Sequence, residues 1–64
     1  MKNFLLFAQR GWRSFKLKRE ESELDEDFES IAEALAFARM LPDTKGVVFL
    51  VFDDKGKSMV TLTV

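Results

Sequence analysis

Cysteine, histidine and tyrosine are all missing from this 64-residue chain. Without cysteine there is no disulfide, no thiolate metal ligand and no thiol nucleophile. Without histidine and tyrosine, the commonest general base and the phenolic acid are gone as well. Serine, threonine, lysine and carboxylates remain, but they assemble no nucleophile–base constellation: Ser30 reads as a helix cap and Ser58 lies in a turn beside Lys57. The chain therefore reads as non-enzymatic, with no cofactor and no identifiable small-molecule substrate. Long apolar runs are also lacking. Phe4–Ala8 is too short for a signal-peptide core, and nothing approaches the ~20 apolar residues of a membrane span. With cysteine absent, this fits a soluble protein of a reducing compartment, so the expectation is cytoplasmic and not membrane-bound.

One sign of charge is missing twice. The first nineteen residues hold six bases (Lys2, Arg10, Arg13, Lys16, Lys18, Arg19) and no acid. The next fourteen hold eight acids (Glu20, Glu21, Glu23, Asp25, Glu26, Asp27, Glu29, Glu33) and no base. The net charge of -1 conceals this sorting. Two motif readings fail on inspection. Gly56-Lys57-Ser58 would end a phosphate loop only with glycine where Val51 stands. A calcium loop starting at Asp25 would need glycine at Ser30 and glutamate at Ala36. No metal site is expected.

What is present is material for a small core, with 47% hydrophobic residues and seven Phe. Phe4–Ala8 is apolar on both alternating faces, which predicts a central strand. Gln9-Arg10-Gly11 predicts a turn, and Trp12–Arg19 a second strand. In that strand Phe15 and Leu17 face the core, while Trp12, Lys16 and Lys18 face outward. Residues 20–29 read as an acidic loop or short edge strand held at Leu24 and Phe28. Ser30-Ile31-Ala32-Glu33 matches a capping box, in which Glu33 reaches back to the Ser30 amide. A helix follows, with Ile31, Ala34, Leu35, Ala38 and Leu41 on one stripe and Pro42 at its end. Val47–Phe52 predicts another central strand, Asp53–Lys57 a turn, and Met59–Val64 a last strand.

The sum is an α+β domain, β-β-α-β-β, spanning residues 1–64. Its sheet is four-stranded in the order 2-1-3-4, with all neighbours antiparallel and one helix on one face. The other face would carry Leu5, Phe7, Val48, Leu50 and Phe52, or the complementary set. That much apolar surface calls for cover, so a homodimer joined by the helix-free face is the leading expectation. A basic strand on one copy could also meet the acidic segment of its mate, and the sequence does not separate that from pairing within one chain. The alternative is a nucleic-acid-binding module, with Trp12 stacking on bases and Lys16 and Lys18 tracking phosphates. The acidic segment and the pI near 5.3 weigh against it.

Gly11-Trp12…Phe15, Phe28-x-Ser30-x-x-Glu33-Ala34-Leu35-x-Phe37-Ala38-Arg39, Leu41-Pro42…Gly46 and Val51-Phe52-Asp53-x-x-Gly56 form one further pattern. It resembles a group of small uncharacterised bacterial domains with a Trp-bearing strand, an E-A-x-x-x-A-R helix and a terminal D-x-x-G hairpin. The resemblance implies the same α+β architecture and no activity, cofactor or catalytic residue.

Overall fold

The computed structural model describes residues 2–64. Among them, five strands and one α-helix follow one another: β1 (Phe4–Ala8), β2 (Phe15–Arg19), β3 (Asp25–Phe28), α1 (Ile31–Met40), β4 (Val48–Phe52) and β5 (Ser58–Thr63). The strands form a single mixed sheet in the order β3-β2-β1-β4-β5. The apolar-on-both-faces strands β1 and β4 lie at its centre, where both of their faces are used.

The expected count of four strands is corrected to five, because Asp25–Phe28 pairs antiparallel with β2. That extra strand reverses the chain once more before the helix. As a result β4 runs parallel to β1, with Leu5 opposite Leu50 and Phe7 opposite Phe52, and the expectation of antiparallel neighbours throughout fails at this pair. The other three pairings are antiparallel. Carboxylate-rich segments make poor strands on propensity alone. Here Asp25 lies opposite Lys18 and Asp27 opposite Lys16, while Phe28 lies opposite Phe15. Opposite charges and an aromatic pair across the ladder hold this edge.

The second strand begins at Phe15, three residues later than expected. Residues Arg10–Trp12 form a single 3-10 turn, closed by the Trp12 amide donating to the Gln9 carbonyl at 2.9 Å, and the Gln9 amide donates to the Ser14 carbonyl at 2.9 Å across the loop. Gly11 and Trp12 both take positive φ there, 82° and 58°. The alternation that would have put Trp12 beside Lys16 holds only for extended backbone.

The helix begins as its sequence dictates. Ser30 Oγ accepts the Glu33 amide at 3.1 Å. The Glu33 carboxylate accepts from the Glu29 amide at 3.0 Å, one residue before the expected Ser30 partner. Leu41 ends the helix in extended geometry ahead of Pro42. Ala34 and Ala38 are fully buried, and their small side chains bring α1 close to the sheet. The core beneath contains Phe4, Leu6, Leu17, Phe49 and Val51, none of them exposed, together with Ala8, Phe15 and Val47. Phe28 packs against Phe37 with ring centroids 5.3 Å apart and planes tilted by 41°, tying the edge strand to the helix.

Candidate functional site

Which face the helix covers follows from burial. Along β1 and β4 the buried residues are Phe4, Leu6, Ala8, Phe49 and Val51, and the alternate residues are only partly covered. Leu5, Phe7, Val48, Leu50 and Phe52 therefore share the helix-free face. Sheet register brings them together, because Leu5 pairs with Leu50 and Phe7 with Phe52. The Phe7 and Phe52 rings stack with centroids 4.9 Å apart and planes 14° from parallel. No second layer of the fold lies over this strip among the described residues.

The flanks of the strip differ in kind. On the β5 side, Thr61 pairs with Leu50 and Thr63 with Val48, giving a neutral hydroxyl border. On the other side, Lys18 pairs with Leu5 and Lys16 with Phe7, and beyond them lie Asp25 and Asp27. The Lys16 ammonium contacts Asp25 Oδ1 at 3.2 Å and Asp27 Oδ1 at 3.9 Å. The hydrogen bond to Asp25 and the charges of both aspartates raise the Lys16 pKa above its ordinary 10.5. The open face thus runs from a self-neutralised charged border, through five apolar side chains, to a neutral border.

Trp12, Lys16 and Lys18 are not gathered on one surface. Trp12 is 41% exposed, and its ring meets Phe15 edge-on with centroids 6.1 Å apart. Phe15 belongs to the helix-covered face, whereas Lys16 and Lys18 belong to the other. Lys16 is, in addition, already engaged by carboxylates. The Arg19 guanidinium sits 4.6 Å from the centroid of Phe4 and donates from Nε to the Lys2 carbonyl.

An open depression of about 480 Å³ is bounded by Ser14, Asp27, Phe28, Glu29 and Glu33. It offers one hydroxyl and three carboxylates, one of which is committed to the helix cap. Among the described residues, no group of three or more acids is placed to hold a metal ion. No helix there is long and apolar enough to cross a membrane. The complementary 16/18 and 25/27 rows were legible in the sequence as charge at period two, but propensity hid them.

Comparison of the chain with protein-family models, with curated proteins and with solved structures gives no match.

Proposed function

We propose that this chain is a non-enzymatic protein-interaction domain that self-associates through its helix-free sheet face. The observation that supports the reading is the contiguity of Leu5, Phe7, Val48, Leu50 and Phe52 on a face that α1 leaves uncovered. A domain of this size buries a smaller fraction of its surface than a larger one, and association recovers part of that deficit. A standard interface takes about 800 Å² from each partner, roughly a fifth of the 4450 Å² that this chain exposes. A central five-residue apolar strip between neutral and internally compensated borders suits that role, because face-to-face packing leaves no unpaired charge in the centre.

Nucleic-acid binding has less support, since the aromatic and the cations proposed for it occupy different surfaces. The experiment is solution mass by light scattering on the intact chain and on Leu50→Lys. Leu50 sits mid-strip, so a lysine there places two ammonium groups in an apolar contact. The variant is expected to lose face-to-face association while keeping its helical signal. A variant with wild-type mass at every concentration sinks the face-to-face reading.

A further inference from the structure

The two edges of the sheet differ in a way that face-to-face packing does not explain. Natural sheets blunt their edges with charge, shortness or cover, because an open strand is a template for another chain. The β3 edge is blunted: it is four residues long and reads Asp-Glu-Asp-Phe. The β5 edge is not. It is six residues long, Ser-Met-Val-Thr-Leu-Thr, with no charge and no proline. Among the described residues, two of the four exposed large hydrophobic side chains lie on it, Met59 at 49% and Val60 at 42%.

The hydrogen bonding shows which groups of β5 are free. The Val64 amide donates to the Val47 carbonyl at 2.9 Å, toward β4. Antiparallel ladders alternate, so Leu62 and Val60 also direct their N–H and C=O groups at β4, and Thr61 and Thr63 direct theirs away from it. Among the described residues nothing accepts from or donates to the outward groups of Thr61 and Thr63. On the helix side, Leu62 pairs with Phe49 and Val60 with Val51, extending the core row to the rim. There α1, which packs over β1, β2 and β3, does not follow.

We propose that β5 pairs edge to edge with β5 of a second copy, antiparallel about Thr61, joining two sheets into one. In this register Thr61 faces its own counterpart and exchanges both outward hydrogen bonds with it. Leu62 of each copy falls opposite Val60 of the other, so the exposed Val60 gains an apolar neighbour and the core row runs on across the junction. A second copy is the occupant because the contact closes on itself. Two identical neutral strands related by a twofold axis bring no like charges together. The β3 edge cannot do the same, since its acids would face their own copies. Pairing of β3 with β5 would set the Glu26 carboxylate in the apolar row of Val60 and Leu62 and leave an open chain of molecules. This contact uses a different surface from the face-to-face one and does not rest on it.

The test is backbone amide exchange followed by NMR on the intact chain, with light scattering on Leu50→Lys, Thr61→Pro and the double variant. Paired edges slow exchange at Thr61 and Thr63 by about tenfold or more, increasingly so with concentration, as for the inward amides of Val60 and Leu62. Proline at 61 removes only an outward N–H, a position that edge strands tolerate, so the β4–β5 ladder stays intact. The expected result is that Leu50→Lys still has the mass of two chains and that Leu50→Lys/Thr61→Pro has the mass of one. Should Thr61→Pro unfold, Val60→Lys keeps the ladder and sets two ammonium groups near the axis, with the same expected loss of mass. Thr61 and Thr63 exchanging at free-peptide rates while Val60 and Leu62 stay protected would overturn the proposal. So would a monomeric Leu50→Lys. If the face-to-face contact alone is absent, Leu50→Lys leaves the mass unchanged and Thr61→Pro halves it, which supports the edge.

Discussion

Asp53 is the residue on which the β4–β5 turn is built. Its Oδ1 accepts from the amides of Lys57 and Lys55 at 2.8 and 2.9 Å, while its own amide donates to the Lys57 carbonyl. Gly56 supplies the positive φ that closes the turn, at 82°. The Lys57 amide, joined by that of Lys55 and by the nearby lysine charges, holds the Asp53 carboxyl below its ordinary 3.8. A depressed carboxyl stabilises the fold above its unfolded value and loses that contribution as pH falls through the folded one. Asp53→Ala is therefore expected to lower the melting temperature at neutral pH. Its difference from the parent should shrink as the pH falls below 3.8, which paired thermal melts across that range would measure. Lys16 has the opposite sign: its raised pKa makes its contribution complete below 10.5 and lost only at higher pH. The Asp53 turn was readable from D-x-K-G chemistry. The place of Trp12 was not, because two successive positive-φ residues break the side-chain alternation that its placement assumed.

At the scale of elements, the sequence was clearest where local and tertiary preferences agree. The helix combines a cap, a buried stripe and a proline stop, and it runs Ile31–Met40 as the pattern requires. Ser30→Ala removes the acceptor for the Glu33 amide and is expected to cost about 1 kcal/mol. Chemical denaturation should show this as a lower midpoint with an unchanged slope. The third strand is the opposite case. Its three acids disfavour strands one by one, and it forms because Asp25 and Asp27 meet the Lys16–Lys18 row while Phe28 reaches Phe15 and Phe37. Such a strand is specified by its neighbour, and no window of its own sequence contains that neighbour. Of the sorted charge, Lys16 is paired within the chain with Asp25 and Asp27. The parallel β1–β4 pair follows from the same strand, so the choice left open between loop and edge strand at residues 20–29 decides two features of the topology.

For the whole molecule, the central fact is how little stability a chain of this length holds alone. At about 0.05–0.15 kcal/mol per residue, a domain of 64 residues holds roughly 3–10 kcal/mol. Leu6 is fully buried at the centre of the sheet, so Leu6→Ala should remove about 2–5 kcal/mol, about half of that total if the monomer stood by itself. Association changes the outcome, because a contact made only by folded chains draws the equilibrium toward them. For a tight dimer, each tenfold rise in concentration adds about 0.7 kcal/mol per chain, or about 3–6 °C in melting temperature at this size. Leu6→Ala is therefore expected to melt well below the parent when dilute and to recover by that increment as it is concentrated. Leu50→Lys combined with Thr61→Pro should abolish the dependence, since it blocks both proposed contacts while sparing the core. Calorimetry over two decades of concentration reads the slope directly. A melting temperature independent of concentration in the parent chain would mean that its core, with ten buried apolar side chains among the described residues, sustains the fold unaided. In that case neither the uncovered strip nor the neutral edge joins two copies.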